Sequence, residues 1–266
     1  MQKLYIIKIG GNIVDDESAL SSFLQSFANI QEHKVLVHGG GKLATRLAEA
    51  MGVQQQMVDG RRITDAETLK IVTMVYAGYI NKNIVAQLQQ LKCNAVGICG
   101  ADGNAILAHK RENVNHSGEA IDYGFVGDVD AVNATFFQQL LGQHVTPVIA
   151  PITHNGSGQL LNTNADTIAQ ETATALSAFY DTTLIYSFEK SGVLLDTNDE
   201  NSVIPEIRPG YFRELKTKEL IFAGMIPKLD NAFSAINKGV TKVIIGNANH
   251  LEQLIQGSSG TTILNE

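Results

Sequence analysis

The sequence holds no tryptophan, only two cysteines among its 266 residues, and no apolar run long enough to cross a bilayer. Basic residues are also in deficit: Lys and Arg number 20 against 27 Asp and Glu, a formal net charge of −7. A nucleic-acid or anionic-membrane surface needs clustered basic side chains, so neither partner is expected. The positive groups that meet any anionic ligand must therefore be few and locally placed. Cys93 and Cys99 are separated by five residues, which matches neither a redox Cys-x-x-Cys nor a zinc ligand set. They read as buried free thiols, which suits a reducing cytoplasm. No secretory leader precedes the first strand-like segment, so a cytoplasmic location is expected. None of the seven histidines falls in a metal-ligand cluster, and internal repeats and low-complexity runs are missing.

What is present begins with Leu4-Tyr5-Ile6-Ile7-Lys8-Ile9-Gly10-Gly11. A continuous apolar run of this length reads as a strand buried on both faces. A lysine at its carboxyl end, beside two glycines, fits an anion site at the strand ends of an open α/β sheet; an edge lysine reaching solvent is the alternative. A second strand, Val35-Leu36-Val37, runs into His38-Gly39-Gly40-Gly41 and then a helix from Lys42 to Met51. That order sets backbone N–H groups at a helix N-terminus, a cradle for an anion. The spacing is neither the dinucleotide nor the Walker fingerprint. The oxyanion loop of an α/β-hydrolase would also need a Gly-x-Ser-x-Gly elbow, which Gly257-Ser258-Ser259-Gly260 does not supply.

Further along, Asp15 or Asp16 can cap a helix bearing Leu20, Phe23, Leu24 and Phe27. Thr64-Asp65-Ala66-Glu67 reads as a capping box opening a long helix to about Leu91. Asn104 to Val129 has the look of a hairpin, with a turn at Ser117-Gly118. A helix from Asn133 is expected to stop at Gly142 as its C′ glycine. Asp166 is a candidate cap for a helix to Ser177, and Pro227-Lys228 opens another. Lys228 there opposes the helix dipole, a penalty that a bound anion would offset. Alternating strands and helices imply a mostly parallel sheet with helices on both faces. The least regular stretch, residues 181–226, is the expected lobe boundary.

Seven segments stand in order: Lys8-Ile9-Gly10-Gly11, His38-Gly39-Gly40-Gly41, Gly60-Arg61-Arg62-Ile63-Thr64, Asn81-Lys82, Asp122-Tyr123-Gly124-Phe125-Val126-Gly127, Asn162-Thr163-Asn164-Ala165-Asp166 and Gly224-Met225-Ile226-Pro227-Lys228. Together they resemble the amino-acid kinase superfamily, most closely its acetylglutamate kinase branch, over nearly the whole chain. The resemblance implies an α/β fold, a three-layer αβα sandwich around a central mostly parallel sheet. Residues 1–180 would form an N-terminal lobe for the acyl amino acid, and residues 181–266 a C-terminal lobe for ATP. The implied reaction moves the γ-phosphoryl group of ATP, with its Mg²⁺, to the side-chain carboxylate of N-acetylglutamate, on the arginine biosynthesis route.

Carried over residue by residue, Lys8 and Lys228 fall on two transition-state lysines and Asp166 on the aspartate that organises them. Gly40, Gly41, Arg62 and Asn162 fall on substrate positions, and Gly10, Gly11 and Gly39 on phosphate positions. Nucleotide positions fall on Ser187, Glu189, Gly192, Val193, Leu194, Ile221 and Phe222. No protein-held metal is implied. The chain departs from the pattern at Glu189-Lys190, where relatives usually have Asp, and at Arg61, usually apolar. A homodimer insensitive to arginine is expected, since the extra N-terminal helix of arginine-inhibited relatives is missing, with a dimer face on the long helix from Asp65. A glutamate 5-kinase or aspartokinase-like enzyme, an N-succinylglutamate kinase using Arg61 for a second carboxylate, and a non-catalytic sensor remain alternatives. Both lysines together with Asp166 count against the sensor, and aspartokinases carry long extensions.

The chemistry asks for the same kit. A glutamyl carboxylate, with a pKa near 4.3, is already ionised at neutral pH, so its attack on phosphorus needs no general base. Positioning and positive charge are what remain. His38 is accordingly read as structural.

Overall fold

A computed structural model of the chain describes residues 1–58, 61–112, 121–196, 198–222 and 225–265. The motif glycines Gly60 and Gly224, the turn expected at Ser117-Gly118 and the side chain of Arg61 lie outside the described residues. The chain divides into two compact units, Met1–Leu36 with Ala169–Glu266, and Val37–Ile168. This differs from the division expected at residue 181. The strand Lys3–Ile9 pairs in parallel with Asp181–Phe188 along its whole length, Lys8 opposite Tyr186, so the N-terminal strand belongs with the C-terminal half.

In the first unit the strand order is Glu206–Ile207, Thr261–Ile263, Lys242–Asn247, Asp181–Phe188, Lys3–Ile9, His33–His38. Parallel pairing prevails; Lys242–Asn247 and Thr261–Ile263 are antiparallel. Leu4, Ile6, Ile7 and Ile9 are fully buried, as a strand covered on both faces requires. The helix Glu17–Asn29 buries Leu20, Phe23, Leu24 and Phe27, and Asp16 caps it by accepting from the Ala19 N–H at 2.9 Å. Past its far end Lys34 Nζ donates to the carbonyls of Phe27, Ala28 and Ile30 at 2.7–2.9 Å. A cation among the last carbonyls suits the dipole. The stretch expected to be least regular contains a helix that was not anticipated, Pro209–Thr217, opened by its proline.

In the second unit Ala95–Ile98 runs parallel to Thr146–Ile149. Four strands, Ile106–Lys110, Val126–Val132, Ile152–His154 and Leu160–Thr163, close into a small barrel. The first two form the expected antiparallel hairpin. The long helix from Asp65 is present, but its middle is not α-helical. Ala66–Thr73 and Asn81–Gln90 flank a π-helical stretch, Met74–Ile80.

Three capping assignments are corrected, two by hydrogen bonds and one by backbone angles. Asp65, not Thr64, caps the long helix, accepting from the Thr68 N–H at 2.7 Å. Thr64 is held in a bridge to Gly124 instead. Asn164, not Asp166, caps the helix Ala165–Leu176, accepting from the N–H groups of Asp166 and Thr167 at 2.8 and 3.2 Å. Gly142 ends the helix Ala134–Gly142 from within, and the left-handed residue beyond it is His144, φ 56°.

Candidate active site

The second unit contains a cavity of about 170 Å³ bordered by Gly39, Gly40, Gly41, Met57, Arg62, Tyr76, Val126, Pro151, Asn162, Thr163, Asn164 and Ala165. Two helices begin on its wall, Gly41–Ala50 and Ala165–Leu176. Their unpaired N–H groups and dipoles favour an anion there. Gly40 takes φ +152°, and a Cβ on it would come within 2.2 Å of Ile80 Cδ1 and 3.3 Å of Tyr76 Cδ1. Only glycine lets the π-helical stretch close so tightly on the loop.

Arg62, only 7% exposed, lies in the short strand Arg61–Arg62. Its Nη2 donates to the Gly41 carbonyl at 2.9 Å and to Thr45 Oγ1 at 2.8 Å, and its Nη1 donates to Gln55 Oε1. All three acceptors are neutral, and no carboxylate pairs with this guanidinium among the described residues. A buried cation without a counter-ion is costly, and an anion in the cavity it borders removes the cost. Asn162 Nδ2 donates to Thr64 Oγ1 at 3.0 Å, joining the barrel to the strand that carries Arg62.

His38, fully buried behind the glycine loop, is pushed down to about 4. Burial is the main cause; the hydrogen bond to Gly39 opposes it and the charge of Lys82 adds to it. The ring is therefore neutral at physiological pH.

The first unit contains a second cavity, of about 410 Å³, bordered by Phe188, Lys190, Gly192, Leu194, Phe222, Met225 and Lys228. It is mainly apolar. Lys228 Nζ sits 4.7 Å from the centre of the Phe188 ring, a cation–π contact. No carboxylate pairs with Lys228 among the described residues. Lys190 forms an ion pair with Glu200 at 2.6 Å; this bond and those from Ser191 hold the Glu200 carboxyl below its usual range.

A sequence profile described as the amino acid kinase family matches residues 3–247. The chain belongs to the amino acid kinase family. Acetylglutamate kinase from Cytophaga hutchinsonii is 58% identical over 96% of this chain and 95% of that protein. Acetylglutamate kinase from Bacteroides thetaiotaomicron is 54% identical over 98% of each. Among solved structures, N-acetylglutamate synthase from Neisseria gonorrhoeae, complexed with coenzyme A and N-acetyl-glutamate, aligns with a TM-score of 0.81 at 20% identity. The alignment covers all of this chain and 60% of that one. Giardia carbamate kinase aligns with a TM-score of 0.70 at 14% identity, over 100% and 99% of the two chains. At these identities the structures speak to the fold alone. For an amino acid kinase the expected α/β fold with a mostly parallel sheet is what the chain has, and membership implies ATP as phosphoryl donor. No helix of the described residues is long and apolar enough to cross a membrane.

The residues expected at the site of this amino acid kinase distribute as follows. The 170 Å³ cavity gathers Gly39, Gly40, Gly41, Arg62 and Asn162, and Asp166 follows Ala165 in the first turn of its helix. Lys8 and Gly10 stand at the carboxyl end of the first strand, where the Gly10 N–H donates to the Ser187 carbonyl at 3.3 Å. Gly11 opens a helix of four residues. The 410 Å³ cavity gathers Gly192, Leu194, Phe222 and Lys228. Ser187, Val193 and Ile221 are buried and are not among its walls. Val193 instead donates its N–H to Thr261 Oγ1 at 2.8 Å. Glu189 is exposed, and its carbonyl accepts from Asn247 Nδ2 at 2.6 Å. Sequence reasoning missed Tyr76, Thr45 and Gln55 around Arg62, and Phe188 and Met225 in the second cavity. Nothing in the sequence marks the π-helical stretch Met74–Ile80 that carries Tyr76.

Proposed function

We propose that the chain phosphorylates the side-chain carboxylate of N-acetyl-L-glutamate with ATP, a step of arginine biosynthesis. One carboxylate oxygen attacks the γ-phosphorus, the bond from that phosphorus to the β,γ-bridging oxygen breaks, and ADP leaves with the electron pair. The observation that carries the proposal is Arg62, a buried guanidinium held by neutral groups at the wall of a cavity with two helix N-termini. A substrate with a fixed α-carboxylate meets that demand. The full-length likeness to acetylglutamate kinases supports the same substrate.

In this reading the acyl amino acid binds against Gly40, Gly41, Arg62 and Asn162. Lys8 and Lys228 neutralise the transferring phosphoryl group, Gly11 and Gly39 supply N–H donors beside Gly10, whose own N–H is held by Ser187, and Asp166 organises the lysines. The nucleotide takes the apolar cavity, where Phe188, Leu194 and Phe222 suit a planar base. Ser187, Glu189, Val193 and Ile221 are the remaining nucleotide positions of this reading, and they lie outside that wall. Mg²⁺ arrives on the phosphates of ATP. No cluster of three or more His, Cys, Asp or Glu fit for a metal occurs among the described residues. We further infer a cytoplasmic homodimer; Met74 and Tyr79, 54% and 66% exposed on the π-helical stretch, offer an apolar face. Light scattering that gives a monomer would remove this part.

The test is ADP release with N-acetylglutamate, N-succinylglutamate, glutamate, aspartate and UMP as acceptors. Highest kcat/KM on N-acetylglutamate is expected. Preference for a free amino acid, or no turnover on any acceptor, would overturn the assignment.

A further inference from the structure

The pair Asn81-Lys82 has no part in the chemistry above, yet Asn81 is fully buried. Its amide is fixed from both sides. Lys82 Nζ, which can only donate, bonds to Asn81 Oδ1 at 3.1 Å, and Asn81 Nδ2 donates to the Val148 carbonyl at 3.0 Å. Nitrogen and oxygen therefore cannot be exchanged. The same Nδ2 lies 3.2 Å from His38 Nε2. An amide nitrogen has only hydrogens to offer, so Nε2 is bare and the ring proton sits on Nδ1. Nδ1–H then donates to the Gly39 carbonyl at 2.8 Å. Lys82 also donates to the Gly97 carbonyl at 2.8 Å. A Cβ on Gly97 would come within 1.9 Å of Asn81 Oδ1, so the strand is cut away where the amide fits.

We propose that His38 is a positioning residue for the substrate cavity, the last member of a directional chain Lys82–Asn81–His38 that holds the Gly39 carbonyl inward. No peptide bond among the described residues is cis. In a planar trans peptide the N–H opposes the C=O, so the N–H of Gly40 is turned away from His38, on a loop that walls the cavity. Gly40 is free to take many conformations; the clamp on its preceding peptide selects the one that donates to an anion. A cation at the head of the chain strengthens each bond along it. Protonating Nε2 would set two donors face to face, and burial prevents it at physiological pH. This role rests on reading the cavity as the acyl-amino-acid site.

Two substitutions separate positioning from packing. His38→Asn keeps a donor for Gly39, whereas His38→Gln reaches only toward Asn81. Nitrogen–proton NMR of the wild-type protein should show the proton on Nδ1 and no titration between about pH 8 and about pH 5. The Gly40 amide resonance should move in His38→Gln, return toward the wild-type position in His38→Asn, and move slightly the same way in Lys82→Met, a surface change. KM for N-acetylglutamate should rise about tenfold in His38→Gln, the worth of one buried hydrogen bond, with KM for ATP unchanged. A proton on Nε2, an unmoved Gly40 amide in Lys82→Met, or equal effects of the two His38 substitutions overturns the proposal. If the wild type does not turn over N-acetylglutamate, the proposed function falls, while the ring tautomer and the Gly40 amide still decide the positioning role.

Discussion

The cavity of the second unit is walled by main chain and by side chains that hold one another: Arg62 on Gly41, Thr45 and Gln55, Asn162 on Thr64. The cavity of the first unit is walled by Phe188, Leu194, Phe222 and Met225, with lysines at its edge. Charge recognition needs donors fixed before the ligand arrives, because each reorganisation subtracts from binding. A planar ring needs apolar walls and little direction. If the proposed function holds, the difference sets where mutations should act: on the acceptor in one unit, on the nucleotide and the transferring group in the other.

The largest effects should come from the lysines of the first unit. Lys8→Ala and Lys228→Ala should each lower kcat by about 10²–10³-fold, roughly 2.7–4 kcal/mol by analogy with loss of an oxyanion donor. The KM for the acceptor should change far less. Steady-state kinetics with an unchanged kcat would remove either lysine from the mechanism.

Next is His38, through pH. Its folded pKa, about 4, lies below the unfolded value near 6.5, so the unfolded chain binds the extra proton. The stability is present above pH about 6.5 and is lost as pH falls through about 4, some 3 kcal/mol in all. Chemical denaturation at neutral and acid pH should show this loss in the wild type and a smaller one in His38→Asn. An equal loss in both proteins would mean the ring titrates normally.

Arg62→Met should raise KM for the acyl amino acid by about 1.5–3 kcal/mol, the worth of hydrogen bonds to a charged group, leaving KM for ATP nearly untouched. A rise in KM for ATP of the same size would erase the distinction between the two cavities. The smallest effects should be the helix caps, one in each unit. Asp16→Ala and Asp65→Ala should each cost about 1 kcal/mol of stability, read by thermal melting. A cap effect on kcat at saturating substrates would show that the helix ends carry more than stability.

How much of this was legible beforehand depends on the range of the interactions. The first strand was readable because four of its apolar residues are buried on both faces, and a strand of that kind announces itself in composition. The glycine loop was readable because its chemistry is written in consecutive residues. The caps misled by a residue or two: Asx and Ser/Thr side chains stand side by side at Thr64-Asp65 and Asn164–Asp166, and geometry alone chooses among them. Arg62 was told apart from its neighbour Arg61 only through the resemblance, since its three acceptors lie 7, 17 and 21 residues away. The barrel escaped notice because closure depends on pairing such as Leu107 with His154, which no local pattern encodes.

The π-helical stretch Met74–Ile80 has a consequence for chain length. Each residue of an α-helix turns the axis by about 100°, and a π turn holds an additional residue. Deleting one residue between Thr73 and Asn81 would let the segment rewind as ordinary α-helix, with better-formed backbone bonds and the flanking faces kept nearly in phase, but the wide turn that carries Tyr76 would be lost. Tyr76 would no longer press on Gly40, although Asn81 would still meet His38. Tolerance to insertion and deletion, ordinarily granted to loops and withheld from cores, is thus governed here by a count of residues inside a helix, and a shorter helix of better local geometry would be the defective one.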